Sequence, residues 1–125
     1  MRLLLDTHAL LWWLADDPAL SAAAHEAIAE PGTVVVVSAA SAWEISIKRA
    51  LGKVDAPDDL SAEIEAQRFD SLSITVEHAL VAGALPRHHA DPFDRMLVAQ
   101  ARMESLTIVT RDPRIALYGV KTLAA

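Results

Sequence analysis

The chain predicts an α/β fold built on a parallel sheet, and two features of the sequence predict it. Short apolar runs alternate with longer amphipathic stretches, as consecutive βα units require. The run Val34-Val35-Val36-Val37 carries no polar alternation, which marks a strand covered on both faces, hence an interior strand of such a sheet. At 125 residues the chain makes a single domain, residues 1–125, large enough to bury a core of its own.

The elements follow in order. Leu3-Leu4-Leu5 forms the first expected strand, and helices over 7–15 and 21–30 follow it, until Pro31-Gly32 breaks the chain. After the valine run a helix is expected over 38–51. Gly52 stops it with a left-handed cap, and Lys48, Arg49 and Lys53 sit near its carbonyl end. Residues 58–68 read as helix, 72–74 as a short strand, 76–83 as helix and 85–90 as loop. Helix returns over 92–104 and strand over 106–110; a helical turn follows Asp112, and residues 120–122 close the sheet. No internal repeat or linker interrupts the series.

Composition narrows the function. Hydrophobic residues make up 53% and charged residues 22%, values of a folded globular chain rather than a disordered one. There is no cysteine, which excludes disulfide scaffolds, zinc-thiolate centres and cysteine nucleophiles, and makes a reducing cytoplasm the expected compartment. Met1-Arg2-Leu3-Leu4-Leu5 imitates the start of a signal peptide, but Asp6 and His8 interrupt the apolar region, so no targeting segment is read. No stretch approaches the ~20 apolar residues of a membrane span, and a soluble protein is expected. A net charge of −6 argues against a module that coats nucleic acid. It does not argue against a nuclease, because a bound divalent ion reverses the local field where a phosphate docks.

Four acids stand where a globular chain favours apolar or neutral residues: Asp6, Glu44, Asp94 and Asp112. Asp6 ends the first strand and Asp112 closely follows the late one. In an open parallel sheet ligands bind beyond the carboxyl ends of the strands, where strand order reverses, so these two would face each other if their strands were neighbours. Helix capping explains either alone: Asp6 before Thr7, and Asp112 before Pro113. Glu44 falls inside the apolar stripe Ala40, Trp43, Ile47 and Leu51, where an unpaired carboxylate is costly. A capping box with Ser41 and an i,i+4 pair with Lys48 are the competing readings. Asp94 shares a helix face with Leu97, Val98 and Ala101; Asp91 and Pro92 already supply the cap and first helical residue, which leaves Asp94 free for other work.

The segments Leu3-Leu4-Leu5-Asp6-Thr7-His8, Ser41-Ala42-Trp43-Glu44-Ile45, His89 to Ala101 and Val109-Thr110-Arg111-Asp112 together resemble the ordered signatures of PIN-domain nucleases, specifically VapC-type toxins. The resemblance spans nearly the whole chain, and Asp91-Pro92-Phe93-Asp94-Arg95 is its most specific segment. It implies a three-layer α/β/α sandwich with a central parallel sheet and an acidic pocket holding Mg2+ or Mn2+ as cofactor. Asp6, Glu44, Asp94 and Asp112 match the family's catalytic and metal-binding acids in order, and Thr7 matches the hydroxyl residue that accompanies the first. Asp91 is assigned to capping. It also implies an RNA substrate, a homodimer, and a cognate antitoxin protein that occupies the groove near the acids.

Without a cysteine, a nucleophile elbow or a Gly-rich phosphate loop, water is the nucleophile the chain leaves available, and in-line hydrolysis yields 5′-phosphate and 3′-hydroxyl ends. Arg95 and Arg111 adjoin site acids and are the expected substrate-binding cations; Arg87, Arg114 and Lys48 are weaker candidates with a solvated surface role ahead. His88 and His89 lie in an expected loop, where exposure is the ordinary outcome and RNA contact the alternative. Trp12 and Trp13 point about 100° apart on their helix, so either the buried face is wide or one ring meets a partner. Other acidic α/β sites fit less well. A haloacid-dehalogenase-type phosphatase needs an aspartate where this chain has His8, and a receiver domain needs one where Ser38 follows the valine run. A purely structural interaction module stays open if the acids are caps; it predicts no response to metal.

Overall fold

The computed structural model describes residues 1–125. Its strands are β1 (Arg2–Leu5), β2 (Val34–Ser38), β3 (Asp70–Leu72), β4 (Thr107–Thr110) and β5 (Thr122–Ala124). They form one sheet in the order β3-β2-β1-β4-β5, and each neighbouring pair is parallel. Seven helices flank it: α1 (Thr7–Leu14), α2 (Ala22–Ala29), α3 (Ala39–Ala50), α4 (Leu60–Ala66), α5 (Val76–Ala84), α6 (Pro92–Glu104) and α7 (Pro113–Ala116). None is long and apolar enough to cross a membrane.

Strand alternation sorts the core into two halves. Leu3, Leu5, Val35, Val37 and Val109 pack on one face under Leu10 of α1, Ile28 of α2 and Ile64 of α4. Leu4, Val36 and Ile108 point the other way, against Leu97, Val98 and Ala101 of α6 and Ile115 of α7. The result is the three-layer α/β/α arrangement. The valine run does lie inside the sheet, with β1 rather than β2 at the centre.

Helix starts follow their caps. Ser38 Oγ accepts the Ala40 N–H at 3.0 Å and begins α3, and Asp91 Oδ1 accepts the N–H groups of Phe93 and Asp94 at 2.8 and 3.1 Å and begins α6. Gly52, with φ of +69°, follows α3 in the left-handed conformation its position predicts.

Both edge strands lie two residues from their expected positions. β3 pairs Val36 with Asp70 and Ser38 with Leu72, so Ile74 falls beyond the sheet. β5 pairs Ile108 with Thr122 and Thr110 with Ala124, while Val120 packs against the second core half. An edge strand is placed by its one neighbour's backbone, and its own apolar pattern is a poor guide.

The face of α3 also differs. Trp43 and Leu51 are 61% and 63% exposed, and the inward face is made of Ala40, Ser41, Glu44 and Ile45. Glu44 does point inward, but beside small side chains that let α3 approach the sheet, and not as part of the Trp43, Ile47, Leu51 stripe. Trp12 and Trp13 are both half-buried. Trp13 Nε1 donates to Gln67 Oε1 at 3.0 Å, and Trp12 lies under the Arg111 guanidinium at 4.4 Å.

Candidate active site at the carboxyl ends of β1 and β4

Chain order runs outward from β1 through β2 to β3, then returns to the other side of β1 for β4 and β5. The reversal falls between β1 and β4, which are hydrogen-bonded neighbours with Leu5 opposite Val109. The Asp6 N–H donates to Val109 O at 3.1 Å, so the residues following both strands emerge side by side. There a cleft of about 510 Å³ opens, and Asp6, Glu44, Asp94 and Asp112 all line it. They arrive from four separate segments, the ends of β1 and β4, the middle of α3 and the first turn of α6.

Capping and a place in the cleft coexist. Asp6 Oδ1 accepts the Ala9 N–H at 2.8 Å and caps α1 while the carboxylate lines the cleft floor. Asp112 Oδ1 accepts the Arg114 N–H at 2.9 Å and caps α7. Asp91 caps α6 as expected and also reaches the cleft. Glu44 is 6% exposed and is held from two sides: Thr7 Oγ1 donates to Oε1 and Lys48 Nζ to Oε2, each at 2.5 Å.

The electrostatics follow from crowding. Burial, reinforced by the charge of Asp91, pushes the Asp94 carboxyl up to about 7, with Glu44 and Asp6 adding to the repulsion and His89 opposing it. Burial also raises Asp6, partly offset by its hydrogen bond from Ala9. Asp112 goes the other way, held well below the usual carboxylate range chiefly by the Arg114 guanidinium. The hydrogen bond to Glu44 raises Lys48.

Two expected substrate contacts, Arg95 and Thr7, are engaged by partners within the protein. The Arg95 guanidinium donates to the carbonyls of Ala82, Leu85 and Pro86 at 3.0, 2.9 and 3.0 Å, and to that of His89 at 3.3 Å. It ties the end of α5 and the following loop to α6, because a planar five-donor fork can satisfy several converging carbonyls at once. The hydroxyl of Thr7 is engaged by Glu44, so this residue orients an acid. Arg111 remains at the cleft, stacked on Trp12 and anchored by Nε to Ala125 O at 3.1 Å. Lys48 and Arg114, the weaker candidates, line the cleft with it; Arg87 does not.

His89 is the residue that sequence reasoning undervalued. It is 6% exposed, and its Nε2 lies 2.8 Å from Asp112 Oδ2 and 3.0 Å from Asp94 Oδ2. A signal was available: His89 stands two residues before the Asp91-Pro92 helix start that aims Asp94, near enough in the chain to reach the same place.

A family model for the PIN domain matches residues 3–121. The chain is 31% identical over 115 residues to Ribonuclease VapC22 of Mycobacterium tuberculosis, covering 90% of this chain and 88% of that protein. Its fold is similar to VapBC2 from Rickettsia felis, bound to a DNA fragment from its promoter, with a TM-score of 0.71 at 12% identity and 98% of each chain covered. It is also similar to a toxin-antitoxin complex from Klebsiella pneumoniae, with a TM-score of 0.64 at 17% identity, covering 97% of this chain and 95% of that one. With the acids converging at the sheet's reversal point and the match running almost end to end, the chain belongs to the PIN-domain family, in its VapC-type branch.

Proposed function

We propose that this protein is a metal-dependent endoribonuclease and the toxin of a toxin-antitoxin pair. The convergence of Asp6, Glu44, Asp94 and Asp112 in one cleft carries the reading. Carboxylate oxygens are the donors that Mg2+ or Mn2+ takes, and the burial and neighbouring acids that raise Asp94 to about 7 are conditions a bound cation relieves. Those four acids would hold the ion. Bound there, it supplies charge for phosphate oxygens and lowers the pKa of a coordinated water.

The chain's own groups do the rest. Thr7 and Lys48 orient Glu44, while Lys48, Arg111 and Arg114 rim the cleft with cations suited to the RNA backbone. The hydroxyl that lines the cleft, on Thr7, is turned to Glu44, which leaves water as the nucleophile. RNA with Mg2+ is expected to be cleaved by the wild type and left intact by Asp6→Asn and Asp94→Asn. Equal cleavage by all three proteins sinks the reading.

The antitoxin is assigned to a second, apolar groove of about 980 Å³ between α3 and α4, lined by Ile45, Leu60, Ile64 and Phe69. Helix α3 is the wall between the two: Ile45, Ser46 and Arg49 face the groove, Glu44 and Lys48 the cleft. An apolar antitoxin segment seated there lies one helix away from the acids, where a basic side chain of the same partner finds complementary charge. The homodimer is assigned to the exposed row Trp43, Ile47 and Leu51. Sedimentation and antitoxin capture separate these surfaces. Trp43→Glu is expected to give a monomer that still binds antitoxin, and Ser46→Arg a dimer that does not; one loss common to both variants contradicts the assignment.

A further inference from the structure

Asp94 and Asp112 present a geometric problem. They come from separate segments, α6 and the turn before α7, and no covalent or backbone link holds their carboxylates together. Both carry like charge when ionised. Yet their oxygens and His89 Nε2 lie within 4.8 Å of one another.

We propose that His89 is a positioning residue that presets the metal site, its Nε2–H bridging Asp94 and Asp112 before and after an ion binds. The inference rests on the nuclease reading above and adds a role for a residue outside the four acids.

The tautomer follows from the neighbours. His89 Nδ1 lies 3.1 Å from the Asp91 backbone nitrogen, which can only donate, so Nδ1 carries the lone pair. The proton of the neutral ring is therefore on Nε2, which donates to Asp112 Oδ2 at 2.8 Å with Asp94 Oδ2 at 3.0 Å. The residue is pinned by its backbone as well: its N–H donates to Tyr118 Oη at 2.9 Å, and its carbonyl accepts from Arg95. Burial keeps water from competing for the ring.

Direct ligation through Nε2 runs against this arrangement. It requires the ring proton on Nδ1, where it would meet the Asp91 N–H donor to donor. His89 instead engages one oxygen of each acid; the second oxygen of Asp94 has no protein donor, and that of Asp112 is shared with Arg114. A hydrogen-bond partner behind the ligands sets their orientation and basicity, and its removal typically weakens metal binding about 10- to 100-fold.

The test measures the Mg2+ concentration that gives half-maximal thermal stabilisation, for wild type, His89→Leu and His89→Gln. Leucine fills the space without a donor, whereas the glutamine amide can place an N–H near the Nε2 position. His89→Leu is expected to need about 10- to 100-fold more Mg2+, and His89→Gln to stay close to wild type. Equal Mg2+ requirements for wild type and His89→Leu overturn the proposal, as does a His89→Gln variant no better than leucine. Nitrogen-15 NMR of the wild-type imidazole decides the matter even if His89→Leu does not fold. The Nε2–H tautomer is expected both without Mg2+ and at saturation, and loss of that proton on binding overturns the bridge in favour of direct ligation. A wild type that does not respond to Mg2+ at all overturns the nuclease reading itself, and this inference with it.

Discussion

Asp94→Asn is expected to abolish metal-dependent cleavage and, in the same protein without metal, to raise stability. The two effects have one cause. Asp94 sits a quarter exposed among Asp91, Glu44 and Asp6, a grouping that favours an ion and disfavours an empty pocket. Removing one of the acids that would hold the ion should cost several kcal/mol of transition-state stabilisation, a loss of activity of about a hundredfold or more. The stability effect follows from linkage. The Asp94 carboxyl is raised from 3.8 to about 7, so between those values the folded state binds a proton that the unfolded chain has released. The stabilisation is therefore full below pH 3.8 and lost as pH rises through 7. A rise of about three units is an upper bound of about 4 kcal/mol, which solvent screening reduces to about 2. Asp6, also raised, acts in the same direction. Asp112 is lowered, so its contribution is present above 3.8 and lost only at more acid pH, outside this window. Thermal melts of the metal-free wild type from pH 4 to 8 should decline by about 5 °C or more, and Asp94→Asn should flatten the decline. Saturating Mg2+ should flatten it in the wild type. A variant that melts lower than wild type at pH 8, or still cleaves RNA, contradicts the account.

Arg95→Leu is expected to lose about 3 kcal/mol or more of folding stability, the largest effect at any cation of this chain, because five carbonyls lose a charged donor together. Arg95→Lys should recover little, since an ammonium cannot span the same fan of acceptors. The loop carrying His89 is fastened through this contact, so residual activity should fall with stability. Arg114→Ala is the control: its side chain is 58% exposed, and solvent screening should leave its ion pair with Asp112 little effect on stability. Urea denaturation of the three variants checks the order. An Arg95→Leu protein as stable as wild type, with only a raised KM for RNA, would restore Arg95 as a substrate contact.

Much of the candidate site is legible in the sequence. Asp94 could be read because Asp91-Pro92 already accounts for the helix start, which leaves a second acid on an apolar face without a local purpose. Glu44 does point into the cleft, but not for the reason its helical wheel suggests. The wheel grouped it with Trp43 and Ile47, but the side chains beside it are Ala40, Ser41 and Ile45, and the large apolar row faces out. Helical periodicity defines which residues share a face; it does not say which of two faces meets the sheet when small residues make the closer fit. For Asp6 and Asp112 the capping reading and a place at the cleft are compatible, since one oxygen caps the helix while the carboxylate still borders the cleft.

The linear chain by itself determined the elements, the parallel α/β class and the residue types of the site. Local propensity, capping chemistry and hydrophobic period act over a few residues and are written where they act. Only the tertiary structure decided that β4 lies beside β1, which brings Asp112 to Asp6 across some hundred residues of chain. It also decided the fate of each cation and histidine. Arg95 turned to carbonyls, Arg111 to Trp12 and Ala125, and His89 from an expected exposed loop into the gap between two acids. Long polar side chains reach far and bond to whatever the fold brings near, so their partners exist only once the packing does.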